Sequence, residues 1–245
     1  MEVNFNIRPY IVLNGRKSLS IPGLIVSKLP SIVKPQIRTK AETVDGRDGD
    51  SITTLGFNAY NKEIEIGLAN EYDIDDVISF FNSSGKVVFS NEPDKYYKYA
   101  IYEAIDFEKL IRFKKAKVKL HVQPFKYSDS ETEKKYTRTP GTIVPVTIRN
   151  NGNIYSRPKI TITGAGTVKL YLNSVQMLTL SLSNSGQTIV IDSQEMNAYN
   201  ATGSSFLNRL VVGNYDNIKL EVGRNEITYT GSVSEIRIDN YTRWI

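Results

Sequence analysis

Several groups of residues in this chain are of types that could do chemistry. Asp45, Asp48 and Asp50, in Val44-Asp45-Gly46-Arg47-Asp48-Gly49-Asp50, place three carboxylates within one short turn, and hard oxygens of that kind hold calcium. The D-x-D-x-D-G order and the closing glutamate of a calcium loop are absent, while two glycines suit a turn with positive φ, so a projecting turn without metal is expected. Asp192, Glu195, Glu221, Glu226 and Glu235 could supply the two carboxylates of a glycan hydrolase, but no spacing singles out a pair. His121, the only histidine, alternates with Lys115, Lys117 and Lys119 on a polar face. It has no carboxylate in its pattern to orient it and no second histidine with which to share a metal. Tyr96-Tyr97-Lys98-Tyr99 could stack bases, yet the run reads better as cross-strand aromatic pairs of a long strand that continues through Ile101, Tyr102 and Ile105. Trp244, the lone tryptophan, could serve as a sugar platform; docking against the protein's own body is the expectation. No catalytic residue, metal ligand or cofactor is assigned.

The elements that position these groups are strands. The 245 residues, 40% apolar and 10% aromatic, suffice for one large or two ordinary domains. The chain has no cysteine, which excludes disulfides, cysteine nucleophiles and thiolate metal sites. A net charge of +5 is spread along the chain without a basic block, so a solvated surface is favoured over a nucleic-acid interface. No apolar run approaches the roughly 18 residues of a membrane span, and the first residues lack a signal-peptide layout. A protein made and folded in a cytoplasm is expected.

Val3, Phe5 and Ile7 alternate with polar residues as a first strand. Residues 36–68 read as one long hairpin around the acidic turn, with Ile64 and Ile66 in the return arm and Lys40, Glu42, Lys62 and Glu63 as edge charges that discourage aggregation. Ile74, Val77, Ile78 and Phe81 form the stripe of a single short helix, capped by Asp73 and closed by Gly85. Lys86 to Ser90 resumes strand character, and Ala116, Val118, Leu120 and Val122 give one face of a strand that closes at Pro124-Phe125-Lys126-Tyr127. Polar residues follow as a linker, so the division is 1–130, a linker at 131–141, and 142–245.

In the second half short strands recur at about 8–12-residue spacing, as in a β-sandwich. They are expected at 143–148, 159–163, 167–172, 176–182, 188–191, 218–222, 226–230 and 233–238, with no clear strand in 197–208. Asn150-Asn151-Gly152-Asn153 is a tight turn whose side chains bond their own backbone and whose residues tolerate positive φ.

Taken in order, these motifs resemble a family. A β-rich first half with one short helix contains Asp45-Gly46-Arg47-Asp48-Gly49 and Phe89-Ser90-Asn91-Glu92-Pro93 with Tyr96-Tyr97, and ends in Gln123-Pro124-Phe125-Lys126-Tyr127. Then come Asn150-Asn151-Gly152-Asn153, Pro158-Lys159-Ile160, Thr163-Gly164, Ile191-Asp192-Ser193 and Val222-Gly223-Arg224-Asn225. Across essentially its whole length the chain is similar to the distal tail proteins of long-tailed phages of Gram-positive bacteria, including prophage-derived versions. The resemblance implies a mostly β protein. Its N-terminal domain would form a six-membered ring, with one short helix and a long hairpin, and its C-terminal domain would be a galectin-like β-sandwich. It implies a non-enzymatic hub of the tail tip, assembled in the host cytoplasm. The hub joins the tail tube protein to the tail-associated baseplate protein and to receptor-binding proteins, and DNA only passes through it. Val44, Asp45, Gly46, Arg47, Asp48, Gly49 and Asp50 become the expected ring or partner interface, and Pro124, Phe125, Tyr127, Asn151 and Gly152 the expected interdomain junction. The alternative is a carbohydrate-binding module for cell-wall glycans; a glycan hydrolase is the third reading.

Overall fold

The computed structural model describes residues 8–131, 134–137 and 145–245. The strand expected at Val3 to Ile7 and the start of the one expected at 143–148 lie outside the described residues. Backbone contacts divide the chain into one unit ending at Asp129 and a second running from Ser130 to Trp244.

The N-terminal unit contains Ile11–Leu13 (β1), Arg16–Lys17 (β2), Leu24–Lys28 (β3), Ile37–Thr43 (β4), Asp50–Phe57 (β5), Tyr60–Leu68 (β6), Ile74–Phe81 (α1), Ser84–Phe89 (β7), Lys95–Ala100 (β8), Phe107–Phe113 (α2) and Lys115–Ser128 (β9). Its main sheet has the order β2-β1-β7-β8-β9-β6-β3, antiparallel throughout. Period-two alternation decides which residues face inward: Ile64 and Ile66 on β6 and Val118, Leu120 and Val122 on β9 are all essentially buried. Each such side chain withdrawn from water contributes about 1.5–3 kcal/mol. Pro124 is tolerated inside β9 because the register with β8 shifts between Tyr97 and Tyr99, so the proline sits where the ladder is broken.

The unit has two helices where one was expected. The Asp73 carboxylate accepts from the N–H groups of Asp75 and Asp76 at 3.0 and 3.2 Å, starting α1 as anticipated. Its buried residues are Val77, Phe80 and Phe81, whereas Ile78 is 38% exposed. Gly85 does not close this helix: it lies in β7 with φ 138°, and a Cβ there would meet the Asn14 side chain at 2.2 Å. The helix α2 is capped by Asp106, which accepts from the Lys109 N–H at 2.8 Å, and ends with Lys114 at φ 54°. The long tyrosine strand stops at Ala100, and Ile101 to Ile105 are not strand.

The C-terminal unit contains Lys134–Thr137 (β10), Val146–Asn150 (β11), Lys159–Leu172 (β12), Val175–Asp192 (β13), Asn197–Asn200 (β14), Val211–Gly213 (β15) and Gly223–Asp239 (β16). Part of the expected linker is therefore strand: Lys134 to Thr137 pair with Glu235 to Ile238. Strands expected as separate pairs are continuous. β12, β13 and β16 run through register breaks around Gly164, Ser183 to Gly186 and Gly231, and both halves of each contribute to one core. The break in β16 uses Gly231 at φ 98°, where a Cβ would lie 2.3 Å from the Thr167 carbonyl oxygen. The order is β10-β16-β12-β13-β14, with β11 also on β16 and β15 also on β13. Residues 218–222 are not a strand; Leu220 makes only an isolated bridge to Ser156.

Candidate functional site

The feature that separates itself from both cores is the hairpin of β4 and β5. It forms a sheet of its own, and every residue of β4 is exposed. Its register runs from Ile37 opposite Phe57 to Thr43 opposite Asp50. The tip uses Gly46 at φ 79° and Gly49 at φ 76°, with the Arg47 N–H on the Val44 carbonyl at 3.1 Å. Val44, Asp45, Gly46, Arg47, Asp48, Gly49 and Asp50, the expected interface residues, are all exposed at this tip. The hairpin is shorter than anticipated, because Ile64 and Ile66 belong to β6 and the main sheet. Ile52 is 68% and Leu55 58% exposed. An isolated two-stranded ribbon is marginal in water, so this one depends on its root and on whatever lies along it.

The root is held at four places. Asn58 brackets Gln36, its N–H on the Gln36 carbonyl at 2.8 Å and its amide on the Gln36 side chain at 3.1 Å. The Phe57 ring meets Phe125 edge-on, with centroids 5.2 Å apart. The segment leading into β4 is pinned where Lys62 Nζ donates to the Ser31 carbonyl at 2.9 Å and the Asn91 amide donates to the Pro30 carbonyl at 3.3 Å.

Lys62 was expected as an exposed edge charge; it is instead 3% exposed. On β6 it takes an inward position among Tyr97, Phe89 and Tyr60, whose ring centroids lie 4.7, 5.6 and 5.7 Å from its Nζ. Close by, Lys126 Nζ and Glu92 Oε1 form an ion pair of 2.6 Å with both side chains 11% exposed. The Tyr97 hydroxyl donates to the other Glu92 oxygen at 2.8 Å. Burial pulls the Lys62 ammonium down from 10.5 to about 8; Glu92 works against that shift and Lys126 adds to it. Burial pushes the Tyr97 phenol far up, and its bond to Glu92 reinforces this. The expectation of an edge charge came from its being a lysine on a strand. The available signal was its place in the Tyr60, Lys62, Ile64, Ile66 parity, which is the inward one.

The residues expected at the interdomain junction have these partners among the described contacts of their own units. Pro124 lies at the β9 register break, Phe125 on Phe57, and Tyr127, 3% exposed, stacks on Tyr96 at 5.4 Å. Asn151 accepts from Arg149 Nε at 3.2 Å. The Gly152 N–H donates to the Asn150 side chain at 2.9 Å, as expected of that turn. Its φ is not positive. Glycine is required here because a Cβ would stand 2.1 Å from the Arg243 carbonyl oxygen.

The remaining reactive types are committed to structure. His121 Nδ1 lies 2.9 Å from the Asn61 side-chain oxygen. Asp192 accepts from the Gln194 and Glu195 N–H groups, both at 3.0 Å, and pairs with Lys159 at 3.1 Å. Glu195 accepts from the Tyr199 hydroxyl at 2.7 Å, and Glu235 pairs with Lys135 at 2.6 Å and Arg237 at 2.5 Å. The Arg224 and Glu226 charges are 3.8 Å apart. Glu221 is held at its backbone, where its N–H donates to the Asn225 side chain at 2.9 Å.

No protein-family model matches the sequence, and no curated protein matches it. Among solved structures, the chain is similar to the SPP1 Dit protein, described as a paradigm of the hub adsorption apparatus in phages infecting Gram-positive bacteria. The TM-score is 0.60 at 15% identity, over 94% of this chain and 98% of that one. A chain of the phage p2 baseplate in its activated conformation aligns with a TM-score of 0.49 at 11% identity, over 94% of this chain and 97% of that one. Mostly β, with two short helices, a projecting hairpin and a second antiparallel sheet, this chain has the fold of the SPP1 Dit protein along nearly its whole length.

Proposed function

We propose that this protein is the structural hub of a phage tail tip. Six copies close a ring through their N-terminal units, the second unit is a galectin-like sandwich, and the hub has no enzymatic activity. The ring joins the tail tube protein to the tail-associated baseplate protein and to receptor-binding proteins. DNA only passes through it, and it resides at the virion tail tip after assembly in the host cytoplasm. One observation carries the reading: within a fold shared with a tail hub, the hairpin of β4 and β5 stands uncovered on its own, with Ile52 and Leu55 bare. A ring of identical chains repeats one head-to-tail contact until the rotation closes, and such a contact needs an element that reaches the neighbour. The Lys40–Glu42 pair at 2.5 Å on β4 keeps the exposed ribbon from unspecific edge pairing. The test is native mass over a range of concentrations with negative-stain imaging. Particles near six times 27.6 kDa that image as rings are expected; a monomer at every concentration refutes the reading.

A second reading, binding of cell-wall glycan, is favoured by one specific observation. Phe206 is 67% exposed with its ring 5.3 Å from that of Tyr199, in a stretch where the Asn208 amide donates to the Asn197 side chain and the Asn200 amide to the Ser204 hydroxyl. Retention on a glycan array that Phe206→Ala abolishes would establish it.

A further inference from the structure

The main sheet of the N-terminal unit carries lysines in two arrangements. Along β9, Lys115, Lys117 and Lys119 are each paired with a carboxylate, Glu65, Glu63 and Glu103, at 3.0, 2.7 and 3.0 Å. On β7 and β8 the arrangement is the reverse, with Lys86 directly opposite Lys98 in the register. Like charges in that position repel across the strands. The two lysines open onto a recess of about 340 Å³ whose wall includes Ser84, Tyr102, His121 and Gln123, and none of its described lining residues is acidic.

The recess lies where the ladder between β8 and β9 is interrupted. Tyr97 faces Lys126 and Tyr99 faces Val122, so Gln123, Pro124 and Phe125 stand against Lys98 alone. Irregularities of this kind re-aim side chains and gather beside functional sites. The ammonium groups are placed by aromatic rings. Lys86 Nζ lies 4.3 Å from the Tyr96 centroid and Lys98 Nζ 5.3 Å from the Tyr127 centroid, contacts that position a cation without neutralising it. The Lys86 backbone is fixed as well, its N–H donating to the Asn14 side chain at 2.9 Å. On the β9 side His121 is anchored by the Asn61 side-chain oxygen, 2.9 Å from Nδ1.

The chemistry of this wall selects its ligand. Planar carboxylates are matched by the fork of an arginine, and none lines the recess. Two ammonium groups act as point charges, and with a neutral amide and a hydroxyl beside them they suit a compact anion with several oxygens. We propose that this recess binds a phosphate group, with Lys86 and Lys98 as its cationic ligands and Gln123 and Ser84 as neutral donors. A phosphate between the two lysines turns their mutual repulsion into shared attraction. The site is independent of the hub reading and stands whether or not the ring forms.

The test follows the phosphorus NMR line width of the ligand as protein is added, at pH 7 and constant ionic strength in chloride. One arm uses inorganic phosphate and the other dimethyl phosphate. Saturable broadening is expected: in the first arm alone it identifies a free or terminal phosphate, and in the second arm it identifies a phosphodiester. The Lys86→Gln/Lys98→Gln variant should bind about tenfold more weakly or worse. The Lys115→Gln/Lys117→Gln variant, which removes as many positive charges from the same sheet, should bind as the wild type does. Lys86→Gln alone, at an exposed position, should weaken binding by about threefold or more, and it serves if the double variant fails to fold. Absence of saturable broadening in both arms overturns the proposal. So does an equal loss in the two double variants, which would mean that net charge rather than the recess attracts the anion.

Discussion

Replacing Lys62 with methionine removes a buried ammonium while keeping an unbranched side chain of similar length. In the folded chain that ammonium titrates at about 8, against 10.5 when free. The direction of linkage follows: the unfolded chain holds the proton over a range in which the folded chain has released it, so Lys62 adds stability as pH rises through 8. That gain is complete above 10.5 and is lost again as pH falls through 8. Between pH 7.5 and 9.5 the two values give a gain of about 2 kcal/mol, at about 1.4 kcal/mol per pKa unit. Aromatic hydroxyls with raised pKa, Tyr97 among them, act in the opposite sense at higher pH, but they are common to wild type and variant. The assay is urea unfolding at pH 7.5 and 9.5, followed through the transition of the N-terminal unit. The stability of wild type minus that of Lys62→Met should grow by about 2 kcal/mol across the interval. A difference that stays constant, or shrinks, refutes the buried, charge-bearing cage around Lys62.

Two further substitutions probe the structure at other places. Glu92→Ala leaves Lys126 and Lys62 as buried cations without their shared carboxylate; a loss of about 3–5 kcal/mol in the N-terminal transition is expected, and a loss below about 1 kcal/mol would mean the cluster is hydrated. Gly152→Ala forces a Cβ against the Arg243 carbonyl; thermal unfolding of the C-terminal unit should show a loss of about 2–4 kcal/mol, and an unchanged midpoint would mean the turn lies elsewhere.

Much of this fold was legible in the sequence where a single pattern decides it. Period-two alternation located β9 and the halves of β12, β13 and β16, and an aspartate cap with an apolar stripe located α1. What escaped were features set by partners far along the chain. The seven residues of α2 bury only Leu110, too little to impose a visible stripe. The continuity of β12 through Gly164 depends on neighbouring strands that break register at the same level, which no local window contains. Ile64 and Ile66 were assigned to the hairpin because they follow β5 directly; Val118 and Ala116, their partners far along the chain, claim them for the main sheet. Lys62 was misplaced for a different reason, because a lysine on a strand is exposed by default and only an aromatic cage and a carbonyl reverse that expectation. The tip at Asp45 to Asp50 was legible as a turn from its glycines alone.

Strand β9 stands between β8 and β6 in the order β2-β1-β7-β8-β9-β6-β3, and it is the last of these seven strands to leave the ribosome. Until it is made, the main sheet exists only as two unconnected pieces, β2-β1-β7-β8 on one side and β6-β3 on the other, each with an open edge. Closure of the N-terminal unit is thus a late, single event during synthesis, delayed by pairings such as Tyr60 with Val122 that span the unit. A chain interrupted before Lys115 would lack the strand that joins β8 to β6, so β9 acts as the keystone of this sheet.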